Sequence, residues 1–474
     1  MPSLPIETLD REHPDYAVRK IMWRRYADLY TGGEVMRINA GFFLPKRQKE
    51  PAEVYYERLS RVFYENYIGS IIDWYAATLL RAEPMIALTG AEQQEGFYNL
   101  FLDDCDLSGA DFVEFFRKAF LQALIYQQSF VLVDFPRVDS ANGSFQSRAE
   151  EDAAGKSRAY LVNYTPLDIP NYKMDSTGNL EWIVIRTKER FQQSFDDPTE
   201  VARTTWTYFD RQEFRKYQLD TFPGGGSDRI SSVGSEVPLV ESGPHALSAA
   251  GKVPIIPITV SDGLWLANKG ALLQIEHFNK SNALSWALHM GLFAMPVIYS
   301  ERDWHQVVGE SYYIQLGPQD RFGWTEPEGK VYQIAQTNLD SLKDEIYRVC
   351  YLMVQAGGNE SRNLGQSGVS KQRDYSITQE VLRAYGDILK GAMKHTLQMV
   401  AGARQDEIGV DVRGLDQFDI ADLSTELQDA QQILQIVPDS PTFRKEVQKR
   451  LALKMLDDSE PALKNQIVRE IDQA

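Results

Sequence analysis

The chain of 474 residues has few cysteines, few histidines and no long uninterrupted apolar run. Each scarcity removes a class of protein. The two cysteines, Cys105 and Cys350, lie far apart in helical patterns, so a disulfide framework is excluded and both read as reduced core residues. The first ten residues hold no basic region followed by an apolar segment, so no secretory signal is expected, and the sequons at Asn142, Asn163 and Asn359 carry no weight. The one stretch with the length of a membrane span, Ser281 to Tyr299, contains Asn282, Ser285, His289 and Pro296 and reads as a core helix of a protein that binds no membrane.

Recognisable catalytic motifs are missing too. The six histidines, His13, His245, His277, His289, His305 and His395, form no HExxH or Cys/His cluster, and each reads as structural. His277 and His289 are separated by about 120° around a straight helix and so do not share a metal. Gly365 to Lys371 (GQSGVSK) lacks the GxxxxGK[ST] spacing and follows a helix where a phosphate loop needs a strand. The acidic run from Asp104 imitates a calcium loop but has Phe115 where the bidentate Glu belongs, so a helix cap is the better reading. No GxSxG serine elbow occurs, and the adjacent acids Asp103-Asp104 and Asp457-Asp458 read as solvated. These absences point away from an enzyme, a metal or any other cofactor.

What is present is acidic charge and aromatic mass. With 50 basic against 67 acidic residues the net charge is −17, which argues against a protein that grips DNA phosphates with a basic surface. The 23 Tyr, 22 Phe and 8 Trp exceed what one modest core needs and suit contact between copies. The length allows several structural units.

Periodicity divides the chain. Helical patterns cover His13 to Tyr30, Pro51 to Arg81 as one long aromatic-rich helix, Phe97 to Asp103, and Gly109 to Gln127, the last opened by Ser108 and Asp111. Strands are expected at Phe130 to Phe135, Ala159 to Tyr164, Leu180 to Lys188, Thr204 to Asp210, Phe214 to Leu219 and Val253 to Val260, with loops at Val138 to Ser157 and Asp220 to Ser248. A helix over Leu264 to Ala294 carries Leu272, Ile275, Phe278, Leu284, Leu288 and Leu292 as its apolar stripe and stops at Pro296. Short strands follow at Val297 to Tyr299, Tyr312 to Leu316 and Val331 to Ile334. Asn338 then caps a returning helix with Leu339, Leu342, Ile346 and Val349 on one side, and Gly357-Gly358 ends it. Ser376 to Gly402 is a long helix, Arg413 to Asp422 a loop or strand, and Leu423 to Ile436, Pro441 to Leu456 and Pro461 to Ile471 are polar amphipathic helices. The class is α+β.

The order of these pieces resembles a bacteriophage portal protein, the head-tail connector at the capsid vertex of a tailed phage. The resemblance rests on His13-Pro14-Asp15-Tyr16, the end of the Trp23 to Gly32 helix, Phe43-Leu44-Pro45-Lys46, Tyr56 to Arg61 and Tyr64-Glu65-Asn66-Tyr67. It continues with Phe130 to Asp134, Val253 to Pro257 and Ser367-Gly368-Val369-Ser370-Lys371.

The resemblance implies a mainly helical portal fold with wing, stem, clip and a C-terminal helical crown. The wing is 1–263, the first stem helix 264–295, the clip 296–335, the second stem helix 336–356, the tunnel loop 357–372, a long wing helix with its return 373–414, and the crown 415–474. Tunnel-loop residues Gly357, Gly358, Asn359, Arg362, Asn363, Gln366 and Lys371 would face double-stranded DNA, with Lys280 and Lys343 on the stem. Trp304, Tyr312, Tyr313, Phe322 and Trp324 would make clip contacts. Implied partners are further copies in a ring of twelve, DNA, the terminase large subunit, head-tail adaptors, and major capsid and scaffolding proteins, in a virion assembled in the host cytoplasm. Two other readings are a phage-associated nuclease or hydrolase, which metal-dependent cleavage would reveal, and a soluble form of a membrane pore, which liposome binding would reveal.

Overall fold

Alternation of apolar residues along four long strands builds the largest sheet. The computed structural model describes residues 3–90, 94–136, 158–222, 236–292, 295–299, 321–325, 329–352, 368–416, 440–455 and 461–473. Helices and antiparallel sheets are largely segregated along the chain, an α+β arrangement. Contacts divide it into two units: Met1–Ala27, Ile72–Ala267 and Ser376–Ala474 in the first, Asp28–Ile71 and Asn268–Tyr375 in the second.

In the first unit, β1 (Ser3–Pro5), β9 (Glu236–Pro244), β8 (Glu213–Thr221), β7 (Glu200–Asp210), β6 (Leu180–Gln192) and β5 (Asn171–Met174) form a six-stranded sheet in that order. All neighbours are antiparallel. Because side chains alternate faces, Ile183, Ile185, Phe209 and Phe214 enter one core with Phe130, Leu132 and Ile255, while Trp206, Tyr217 and Val237 enter another with Leu9. The indole Nε1–H of Trp206, buried in that second core, donates to Asp10 at 2.9 Å, which Arg186 also binds at 3.0 Å. That pairing spares the core an orphaned donor.

A three-stranded sheet orders β10 (Ile255–Thr259), β3 (Gln128–Asp134) and β4 (Tyr160–Tyr164), and a pair joins β13 (Gly409–Arg413) to β2 (Met85–Thr89). Helix α6 (Phe112–Tyr126) leads into β3; Asp111 caps it by accepting the Glu114 N–H at 2.8 Å, so the cap is Asp111 and not Ser108. It ends at Gln127, which adopts φ 74° while its side chain bridges Asp262 at 2.6 Å and Arg19 at 3.0 Å. Those two bonds hold a left-handed conformation that would otherwise favour glycine.

Helix α9 (Gly368–Arg404) buries Leu382, Tyr385, Leu389, Met393, Leu397 and Val400 along one side. Tyr385 meets Tyr75 and Phe120 edge-on, and its hydroxyl donates to the Leu264 carbonyl. Beside it, a Cβ on Gly386 would stand 2.0 Å from the Leu415 carbonyl oxygen, so only glycine lets the returning chain pass. Helices α5 (Glu95–Asp103), α10 (Pro441–Met455) and α11 (Pro461–Gln473) complete this unit, while α1 (Pro14–Thr31) runs from Pro14 to Ala27 within it.

The second unit holds α2 (Gly33–Ile38), α3 (Ala52–Ser60), the first turns of α4 (Tyr67–Leu79), helix α7 (Leu266–Leu292) from Asn268 onward, β11 (Met295–Tyr299), β12 (Arg321–Thr325) and α8 (Gly329–Val349). Buried Arg58 clamps the buried Glu50 carboxylate at 2.6 and 2.7 Å, which holds that carboxyl below its usual range.

Four expectations from the sequence are corrected. The helix expected over Pro51 to Arg81 is two helices broken at residues 61–66, where Asn66 accepts the Gly69 N–H at 2.8 Å and opens α4. Val331 to Ile334 is helical, because α8 begins at Gly329; Asn338 lies inside it, its side-chain oxygen taken by Lys280 at 2.9 Å instead of capping a helix start. The stretch Asp220 to Ser248 contains strand β9 in place of a simple loop, its side chains alternating between exposed and buried or half-buried. Gly368 to Lys371, expected in a loop, are the first residues of α9.

Candidate functional site

The features that could carry function sit on α7 and α8. The two helices run antiparallel within the second unit. A Cβ on Gly270 would lie 3.6 Å from Cys350 Sγ, Lys280 Nζ donates to Asn338 Oδ1 at 2.9 Å, and Tyr332 Oη donates to the Ala287 carbonyl at 3.4 Å. Residue numbers rise on one helix as they fall on the other, the pattern of a helical hairpin. At 27 and 21 residues they extend roughly 40 and 32 Å. Strands β11 and β12 pair antiparallel between them, with Met295 opposite Thr325 and Tyr299 opposite Arg321.

The buried face of α7 is not the leucine stripe. Leu272 is 75% exposed and Leu288 is exposed too, whereas Gln274, His277, Ser281 and Asn282 are buried beside Phe278. The reason lies in residues 61–66, which leave the helical path and so lose their helical hydrogen bonds. Asn282 restores two of them, accepting the Phe63 N–H at 3.1 Å and donating to the Phe63 carbonyl at 3.0 Å. Eight residues earlier on the helix, Gln274 donates to the Glu65 carbonyl at 2.8 Å and accepts the Ile68 N–H at 3.4 Å. Side-chain amides thus serve the broken segment as a neighbouring strand would.

His277 lies between them. It is 3% exposed, its Nδ1 has no hydrogen-bond partner, and Nε2 stands 4.0 Å from the Glu65 carboxylate. Tyr67 meets its ring edge-on at 5.1 Å and donates its hydroxyl to Glu65. Burial pushes the imidazole below its ordinary 6.5; Glu65 pulls it back, Lys343 reinforces the drop and Asp340 opposes it. The same burial raises Tyr67, helped by Glu65. A cleft of about 440 Å³ opens here, lined by Glu65, Tyr67, His277, Leu339, Asp340 and Lys343. A second, of about 260 Å³, is lined by Arg58, Arg61, Asn282, Trp286 and His289, with Arg61 Nη1 2.6 Å from His289 Nε2.

Of the stem residues singled out in the sequence, Lys280 pairs with Glu276 at 3.0 Å and with Asn338, and Lys343 leans over the Tyr67 ring at 5.9 Å. Phe322 and Trp324 fall on β12, and Lys371 on the first turn of α9. Trp304, Tyr312, Tyr313, Gly357, Gly358, Asn359, Arg362, Asn363 and Gln366 lie outside the described residues. Cys105 and Cys350 are buried, outside any disulfide, and burial pushes the Cys350 thiol up to about 12, which keeps it unreactive. Among the described residues no group of His, Cys, Asp and Glu is arranged to hold a metal, and no helix is long and apolar enough to cross a membrane. The polar backbone partners Gln274 and Asn282 were missed in the sequence; their eight-residue spacing, which sets them on nearly one helix face, was the available signal.

Residues 271–400, which include α8 and most of α7 and α9, match the family described as Domain of unknown function (DUF4055). No curated protein matches. Two chains in solved structures of gene transfer agent particles match this chain over most of its length. One, from the neck of an empty particle computed with C6 symmetry, is 13% identical, with 79% of this chain and 86% of that one covered at a TM-score of 0.40. The other, from the virion of the native particle, is 11% identical, with 85% and 94% covered at a TM-score of 0.38.

Proposed function

We propose that copies of this chain close into a portal ring at a capsid vertex, through which double-stranded DNA is packaged and later ejected, and which offers a platform to a terminase large subunit and head-tail adaptors. The observation that carries this reading is the antiparallel α7–α8 hairpin with its two-stranded insertion. Its solvent-facing side chains fit the role: Leu272, Leu288, Val331 and Ile334 are exposed on helices whose inner faces are already packed. Scattered exposed apolar residues need no explanation, but four on one helical hairpin suit burial against another copy. Closing such a ring requires a head-to-tail contact repeated by rotation.

The role proposed is a structural one. Catalysis needs a nucleophile or metal held beside a base; of the described residues both thiols are buried, and His277, on the wall of the cleft of about 440 Å³, is only 3% exposed. Major capsid and scaffolding proteins would surround the ring, with the virion as the final location. Electron microscopy of the purified protein tests the reading. Rings with a central hole are expected; compact monomers at concentrations of tens of micromolar would overturn it, and metal-dependent cleavage of DNA would favour a nuclease instead.

A further inference from the structure

Two surface features far apart in the sequence have complementary chemistry. The first is the tip of the β6–β7 hairpin. Phe195 there is 99% exposed, more than any other large apolar side chain of the described residues. The turn that displays it is tightly bonded: Gln193 N–H to the Thr199 carbonyl at 3.1 Å, Ser194 N–H to the Asp197 carbonyl at 3.3 Å, and Asp197 N–H to Ser194 Oγ at 3.0 Å. Asp197 Oδ1 in turn accepts the Thr199 N–H at 3.0 Å and hydroxyl at 2.6 Å. Below the turn, the Arg203 guanidinium lies over the Phe191 ring at 4.9 Å and pairs bidentately with Asp220 at 2.7 and 2.8 Å. A turn held this firmly presents the Phe195 ring at little ordering cost on binding. At the tip itself the charged residues are Asp196 and Asp197, with no Lys or Arg between residues 191 and 202, while Glu200 below it pairs with Arg190 at 3.9 Å.

The second feature lies on α2 and the turn after it. Val35, Ile38 and Phe42 recur at helical spacing and face solvent, Ile38 at 75% and Phe42 at 80% exposure. Arg37, Lys46, Arg47 and Lys49 are exposed beside them in sequence. From 33 to 49 the only carboxylate is Glu34, in a chain whose net charge is −17. A cationic apolar patch on an acidic protein is matched by an anionic aromatic knob on the same protein.

We infer that the Phe195 tip of one copy docks on the Val35–Phe42 patch of the next copy, forming a head-to-tail contact. This rests on the ring reading and names the surfaces that close it. The two features are different surfaces, so the contact is heterologous, and each copy offers one of each; repeated by a rotation that closes, it uses all of them in a ring. The ring of Phe195 supplies the apolar anchor, and Asp196 opposite Lys46 and Arg47 sets orientation and suppresses like-with-like pairing of two tips.

Inter-chain disulfide formation tests it. The native thiols of Cys105 and Cys350 are buried, so the full-length chain serves as background. Phe195→Cys and Ile38→Cys replace exposed side chains and leave the cores intact. Mixed and mildly oxidised, the two variants are expected to give a covalent heterodimer, whereas each alone gives none; Phe195→Cys with Ile38→Cys in one chain gives a ladder of linked copies. Phe195→Ala is expected to weaken association by about tenfold or more, the size of a central aromatic truncation, and Phe195→Tyr to restore it. Rings that form without the mixed cross-link overturn this contact and leave the ring reading standing. Dimers of Phe195→Cys alone overturn it in favour of a two-fold contact. A protein monomeric at all concentrations overturns both.

Discussion

Asn282 illustrates how far one polar side chain can decide local structure. A polar residue within an apolar helical pattern reads as solvent-facing, yet Asn282 is buried and bonded to both backbone groups of Phe63. Replacing it with Ala leaves that N–H and C=O without partners, at a cost of about 1–3 kcal/mol. Asn282→Ala is therefore expected to lower the unfolding free energy, measured by denaturant titration, by that amount and to speed hydrogen exchange at the Phe63 amide; a loss below about 0.5 kcal/mol, the scatter of ordinary surface changes, would mean that water replaces the amide. The sequence made the helix legible but not its buried side. Leucines at helical spacing are read as core because most helices face one core, and Leu272, 75% exposed, breaks that rule. The Phe195 tip was equally illegible: an aromatic between two strands reads as turn, and nothing local reveals that its ring stays outside.

At the scale of elements, strands with a strict two-residue alternation were legible, and so were helices with an uninterrupted stripe. Leu180 to Lys188 lies within β6, and Ser376 to Gly402 lies within α9. Illegible were the elements whose character is fixed by distant partners: the break at residues 61–66, compensated by Gln274 and Asn282, and the start of α8, where Val331, Tyr332 and Ile334 satisfy strand and helix propensity alike until Tyr332 reaches α7. His277 joins these elements, with Glu65 and Tyr67 from the broken segment and Asp340, Lys343 and Tyr347 from α8 around it. Its folded-state imidazole is held below 6.5 by burial, so between that value and its own lower one the unfolded chain binds a proton that the folded chain does not. Stability contributed at this site is complete above 6.5 and declines as pH falls through that window. The difference in unfolding midpoint between the native protein and His277→Gln is expected to be constant from about pH 7 to 8, near where an unperturbed imidazole is neutral, and to shift in favour of the variant below 6.5. A difference that does not change with pH would show that the imidazole protonates in place, through water reaching Nδ1.

For the whole molecule, charge is the property most legible in the sequence and the one that best separates a conduit from a clamp. A net charge of −17 per copy is multiplied in a ring, and a duplex inside it meets repulsion at separations within a Debye length of roughly 8 Å at physiological salt. Most cations of the helical hairpin are already engaged: Lys269 rests on Tyr351, Lys280 is paired with Glu276 and bonded to Asn338, Lys343 rests on Tyr67, and Arg348 is paired with Glu345, while Lys330 is exposed at the start of α8. A clamp releases counterions in proportion to the phosphates it neutralises, so its affinity falls steeply with salt, whereas a conduit neutralises few and shows almost no slope. Assembled rings are therefore expected to bind linear duplex DNA only weakly at about 0.15 M salt, with a log–log salt slope of magnitude below about 2, equivalent to some two phosphate contacts per bound ring. Fluorescence anisotropy of a labelled duplex between about 0.05 and 0.3 M salt, a range over which phosphate-gripping proteins lose orders of magnitude in affinity, measures it. Submicromolar affinity with a slope near −6 would identify a surface that grips the backbone, and the portal reading would then lose its electrostatic basis, because DNA held at many phosphates does not slide freely past the subunits that hold it.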